Sequence, residues 1–249
     1  MSIKLLLFLF FIFCLIGWVW ESTYESIRNK KILNRGFLNG PYIPIYGCGG
    51  ILIFLVMQRF QAPFFSLTTL AAYFIGAIGL TVIEYVTSYV LEKILKARWW
   101  DYSDYPLNIN GRVCLIASVF WGLVTLFGID LLNPFLLNLY EKIPSDVSLV
   151  YVSVMSTLFI LDIFVTFDSI IDLKNRMQIL LAMEKDKVLD AVSGSADFIK
   201  EQGKRLAKIG NPFTKRIITS FPNLRFNSEK VQKVFLKIKG IMSRKDDEE

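Results

Sequence analysis

The chain has 249 residues, of which 53% are hydrophobic, 14% aromatic and 20% charged, with a formal net charge of +6 and a mean hydropathy of +0.46. That balance excludes an ordinary soluble domain, in which about a quarter of the residues are charged and long apolar runs are absent. Histidine is absent, which removes Ser-His-Asp and Cys-His catalysis, HExxH zinc sites and imidazole ligation; Cys14, Cys48 and Cys114 all lie in apolar runs with no CxxC spacing and support neither a disulfide framework nor a zinc ribbon.

Five segments, 3–20, 41–57, 64–91, 113–132 and 147–171, read as spans of a hydrocarbon core that takes roughly 17 to 25 helical residues. The first has Lys4 before its apolar run but continues into Gly17-Trp18-Val19-Trp20-Glu21 with no cleavage site, so it reads as a permanent helix with tryptophans at the interface. The second opens on Gly40-Pro41, Pro44 and Gly47-Cys48-Gly49-Gly50. That composition predicts irregular backbone lining a cavity, or else a kinked, closely packed helix. It matches no phosphate loop. The third carries Glu84 near its end, and the fifth carries Asp162 and Asp168 with Thr166 and Ser169 at helical spacing.

Charge sets the expected orientation. Arg28, Lys30, Lys31 and Arg35 lie between spans one and two, and Lys93, Lys96, Arg98 and Arg112 between three and four; the other side has only Lys4, Arg59 and Lys142. The basic side is expected in the cytosol, which places the N-terminus outside and the C-terminus inside. Residues 1–173 hold 11 Lys+Arg against 12 Asp+Glu, and residues 174–249 hold 17 against 10. The chain therefore divides into a near-neutral transmembrane domain, 1–173, and a basic tail, 174–249.

In the tail, Ile179, Leu180, Met183, Val188, Leu189 and Val192 recur at three-and-four spacing, so the helix of span five is expected to continue. Ser193-Gly194-Ser195 and Gly210-Asn211-Pro212 punctuate it. A last basic helix follows, capped by Asn227 or Ser228, with Val231, Val234, Phe235 and Ile238 against Lys230, Lys233, Lys237 and Lys239. It reads as a solvated helix or as a contact for anionic headgroups. Nucleic acid is not an expected partner, because no aromatic residues interleave with the basic ones as a stacking platform.

Polar residues converge on one leaflet. Glu21, Glu25 and Glu84 end their spans where Asn39, Asn108, Asn110 and Arg112 begin theirs. Ionisable groups inside a bilayer usually face a bundle interior or a water-filled cavity. Glu21 precedes Arg35 by 14 residues and Glu84 precedes Arg98 by 14, and each loop ends in a hydrophobic-Asn-Gly triplet, Leu38-Asn39-Gly40 and Ile109-Asn110-Gly111. Spans one-two and three-four thus read as a tandem hairpin repeat. The second loop is longer and contains Trp99-Trp100-Asp101-Tyr102, an interfacial anchor or an aromatic lid in which Asp101 can pair with Arg98 or Arg112.

The stretch Asn34-Arg35-Gly36-Phe37-Leu38-Asn39-Gly40-Pro41-Tyr42-Ile43-Pro44-Ile45-Tyr46-Gly47, with Trp100-Asp101-Tyr102-Ser103 and Asn108-Ile109-Asn110-Gly111-Arg112, resembles the ABC-transporter type IV family of CmpB-like bacterial membrane permeases. The resemblance spans roughly residues 10 to 170. It implies transport across the bacterial cytoplasmic membrane, with a separate ATPase subunit or a homo-oligomer supplying what this chain lacks, since no ATPase motif is present. The expected fold is all-α: a polytopic helical membrane protein of about five transmembrane helices with a helical cytosolic tail, and no cofactor. The expected substrate-binding residues are Glu21, Arg35, Asn39, Tyr42, Tyr46, Glu84, Trp100, Asp101, Asn108, Asn110, Arg112 and Asp162, with the arginines as partners of the carboxylates or contacts for an anion. Two alternatives stand beside transport. One is a membrane-embedded enzyme acting on a lipid or lipid-linked substrate at the cytosolic leaflet, with carboxylate bases and no need for histidine; the other is a membrane scaffold or regulator acting through its tail.

Overall fold

The computed structural model describes residues 2–60, 67–95, 97–189, 225–226, 228–229, 231–233 and 236. Its elements are α1 (Ile3–Asn29), α2 (Pro44–Arg59), α3 (Leu67–Leu95), β1 (Ala97–Arg98), β2 (Asn108–Ile109), β3 (Val113–Cys114), α4 (Leu115–Phe127), a π-helical turn (Gly128–Leu132), α5 (Asn133–Lys142), α6 (Ser145–Leu189) and β4 (Arg225–Phe226). It is a polytopic helical fold. The two-residue strands, paired as β1–β4 and β2–β3, are an addition to the expected all-α architecture.

Four helical stretches among the described residues are long and apolar enough to cross a membrane: Ile3–Asn29, Leu67–Ile94, Leu115–Lys142 and Ser145–Ile171. The second expected span, 41–57, is instead the shorter apolar helix Pro44–Arg59. Its 16 residues rise about 24 Å, less than the ~30 Å of a hydrocarbon core. The cause is Pro44. Having no N–H it fits the first helical turn, and it pushes the preceding Ile43 into extended backbone (φ −121°, ψ 99°), so the helix starts no earlier.

The depth of that start follows from one bond. The Ile43 N–H donates to the carbonyl of Cys14 at 3.1 Å, in the middle of α1. The 15 residues from Cys14 to the end of α1 rise about 22 Å, so the segment 30–43 descends that far into the bundle before α2 begins. Its later part packs into protein, with Leu38 and Tyr42 buried around Cys14, while Ile32 near its start is exposed. Of the two readings of the glycines of α2, close packing is the one they serve, since they lie within the helix and bring it against α1: a Cβ on Gly47 would stand 2.6 Å from the Cys14 sulfur and the Phe10 ring, and one on Gly50 would stand 2.1 Å from the Phe13 ring.

Helix ends follow their capping chemistry. The Ser2 hydroxyl accepts from the Lys4 N–H at the start of α1, and Lys30 closes it in the left-handed region (φ 51°). The helix α1 packs on α2, α3 packs on α4, α2 joins the two pairs through α3, and α6 lies along α1. One cluster of buried apolar side chains joins Phe8, Leu9 and Phe13 of α1 to Phe54, Leu136 and Val152. The helix of span five continues to Leu189 as the tail pattern anticipates. The expected breaks at 193–195 and 210–212 lie outside the described residues. In the last basic segment, residues 229, 231–233 and 236 are helical, and the Gln232 N–H donates to the Ser228 carbonyl at 2.9 Å.

Candidate functional site

The two loops that join α1 to α2 and α3 to α4 lie at one end of the bundle, and the expected polar residues fall around them in three groups.

The first group is a pair of carboxylates held by neutral donors. Tyr46 Oη donates to Glu21 Oε1 at 2.8 Å, while Glu84 accepts from Tyr102 Oη at 3.0 Å and from Trp121 Nε1 at 2.9 Å. Glu84 is only 5% exposed. The rings of Tyr46 and Trp121 meet edge to face at 6.4 Å, which brings the two carboxylates into one neighbourhood. Each glutamate thus accepts a tyrosine hydroxyl from its own hairpin. In the loop, burial and then the nearby Glu84 carboxylate hold the Tyr102 hydroxyl well above the ordinary tyrosine range, so it remains a donor.

The second group is the 97–114 loop. Arg112 Nη2 donates to Glu92 Oε2 at 2.6 Å and Arg98 Nε to the same oxygen at 3.2 Å. The Arg112 guanidinium lies over the rings of Tyr85 and Tyr89, 5.4 and 5.5 Å from their centroids. Trp100 Nε1 donates to the Arg112 carbonyl at 2.9 Å, and Asn110 Nδ2 to Tyr85 Oη at 3.0 Å. Asp101 accepts from the backbone N–H and hydroxyl of Ser103, an Asx turn within the loop. Asn108 staples it, accepting from Gly111 N–H at 2.9 Å and donating to Tyr105 and Ser103 carbonyls. Asn110 and Gly111 both have positive φ, 54° and 67°, which suits Asn and Gly there.

The third group is a latch on α6. Asp162 accepts from the backbone N–H of Asn39 at 3.0 Å and of Gly40 at 2.6 Å, and Thr166 bridges the Asn39 amide to the same carboxylate. Tyr42, 6% exposed, packs beneath it. Asn34 completes the turn, donating to the Asn39 carbonyl and accepting from Trp18 Nε1 at 2.8 Å.

The arginines of the two loops reach carboxylates at the ends of α1 and α3. Arg112 and Arg98 share Glu92, and Arg35 reaches Glu25 at 4.0 Å while its N–H donates to Ser22. Glu92, Tyr102 and Trp121 were not among the expected site residues. Glu92 was within reach of the sequence, since Tyr85, Tyr89 and Glu92 share one helical face by their spacing. Trp121 was not, because only the antiparallel register of α3 and α4 brings it to Glu84.

A family model whose description reads "Putative ABC-transporter type IV" matches residues 8–167. No match is found among curated proteins or among solved structures. The matched stretch holds all three groups.

Proposed function

The chain belongs to the ABC-transporter type IV family, whose model covers residues 8–167, and on that premise we propose that it is the membrane component of a transporter of the bacterial cytoplasmic membrane, working with a separate ATPase subunit or as a homo-oligomer. The loop end faces the cytosol in this reading, because the basic loop residues lie there. The observation that carries the site is the Glu21–Glu84 pair, hydrogen-bonded by Tyr46, Tyr102 and Trp121. Ionisable groups placed inside a membrane bundle mark solute or ion pathways. The arginines nearest in sequence are engaged by Glu25 and Glu92. Two carboxylates side by side favour a cationic or proton-carrying solute over an anion. Asn39, Asp162 and the 97–114 loop position this pair rather than contact the solute. The tail, with its basic last helix, lies on the cytosolic side, where anionic headgroups attract it.

The reading is tested in the native host. Purification of the full chain is expected to bring down an ATPase, and deletion to alter uptake or efflux of a solute. Complementation by Glu84→Gln is expected to fail at unchanged protein level. No associated ATPase together with unchanged fluxes across a broad solute panel would overturn it.

A further inference from the structure

The tail returns to the bundle at β4. Phe226 lies opposite Ala97 and Arg225 opposite Arg98, in an antiparallel pair with β1. β1 leads directly into the loop of the second group. The Arg98 side chain bonds Glu92 and, through Nη1, the Asn110 carbonyl at 3.3 Å. The next residue, Gly111, accepts the Tyr102 N–H at 2.8 Å, and the Tyr102 hydroxyl donates to Glu84. Trp99, beside Arg98, packs edge-on against Phe37 at 5.1 Å and so ties the same loop to the first hairpin. A continuous series of bonds therefore runs from the backbone of β4 to the carboxylate of Glu84. A short edge strand offers unpaired N–H and C=O groups, and a peptide that adds to it gains affinity from main-chain bonds alone.

We infer that the tail is an intramolecular strap: by adding β4 to β1 it holds the 97–112 loop seated on Glu84, and its withdrawal loosens that loop. A two-residue ladder belongs to the low-stability end of a structure, which opens locally while the helices stay folded. The strap stands on the backbone pairing; only its effect on transport rests on reading the Glu21–Glu84 pair as the solute site. The occupant of the β1 edge is this chain's own segment 225–226, in the register Ala97 to Phe226.

The test uses the full chain in nanodiscs. Arg225→Pro with Phe226→Pro removes both N–H donors of β4. Amide hydrogen exchange over 97–112 is expected to become about tenfold faster than in the wild type, as for the loss of about one net hydrogen bond. Exchange in α1 and α2 is expected to stay as it was. Separately, Ala97→Cys with Phe226→Cys, in a background with Cys14, Cys48 and Cys114 changed to Ala, is expected to give an intramolecular disulfide on mild oxidation, read by peptide mass. Unchanged exchange over 97–112, or no cross-link in a folded protein, would overturn the strap. Neither readout measures flux, so loss of the strap leaves the Glu84 site standing or falling on transport alone.

Discussion

The Tyr46 hydroxyl lies 2.8 Å from the Glu21 carboxylate while the base of its ring lies against Gly17, one helical turn before Glu21. A Cβ at position 17 would come within 2.2 Å of the ring. Glycine here permits close approach and so aims the tyrosine.

Gly17→Ala is therefore expected to displace Tyr46 and destabilise the bundle by about 1–3 kcal/mol, the range for overpacking. Tyr46→Phe keeps the ring and loses only the hydroxyl, so a smaller effect is expected. Thermal unfolding in one detergent, read for both variants, gives the order; equal effects would place the ring elsewhere.

The Asp162 latch supplies a second expectation. Asp162→Ala leaves the N–H groups of Asn39 and Gly40 without their charged acceptor, a loss of about 1.5–3 kcal/mol by the usual worth of bonds to charged groups. Thr166→Val removes only a bridging hydroxyl and is expected to cost less. Hydrogen exchange over 36–43 should rise in Asp162→Ala, and protection unchanged there would show that the turn holds itself.

Glu92 and Glu25 form a natural comparison. Both carboxylates are 13% exposed, but Glu92 binds two arginines at 2.6 and 3.2 Å, whereas Glu25 meets Arg35 only at 4.0 Å and the 65% exposed Arg28 at 3.8 Å. Removing one partner of a close, shielded pair costs about 3–5 kcal/mol, whereas a pair with an exposed partner is worth ~0–1 kcal/mol and one at the 4.0 Å limit has little contact to lose. Glu92→Gln is thus expected to lower the unfolding temperature well beyond Glu25→Gln. The same ranking should survive raised salt, since buried pairs are screened less.

Much of this was legible beforehand. Spans one, three and five follow from uninterrupted apolar runs, and the meeting of Glu21 with Glu84 at one end follows from alternating helix direction. The length of α2 was less so: Pro41, Pro44 and three glycines signalled irregularity, but only the bond from Ile43 to Cys14 fixes where extended backbone gives way to helix. Partner choice was the least legible. Arg112 pairs with Glu92, 20 residues away in sequence, rather than with a carboxylate of the first hairpin, because loop and helix end fold back on each other. The 14-residue spacing from glutamate to arginine holds in both hairpins, yet Arg35 and Arg98 meet different glutamates, Glu25 and Glu92.

Alkaline pH tests the Tyr102 donor. Its pKa is raised above the ordinary 10.0 by burial and then by Glu84. A raised folded pKa gives stability that is complete below the unfolded value and is lost as pH rises through the folded one. The loop is therefore expected to stay seated on Glu84 up to about pH 10 and to weaken only above it. Tyr102→Phe should abolish that alkaline transition in loop exchange, and its persistence would assign it to another group.

The π-helical turn at Gly128–Leu132 inserts one residue into the fourth span. One α-helical residue corresponds to about 100° of rotation, so the two halves of that span present different faces. Before the turn, Gly122 and Thr125 look onto Tyr73 and Gly76 of α3; after it, Leu136 joins Phe8 and Phe54 in the centre of the bundle. The segment changes neighbours halfway across the membrane. Removing a single residue between 128 and 132 would scarcely shorten the span, but it would swing Leu136 out of the centre, so this turn sets rotational phase rather than length.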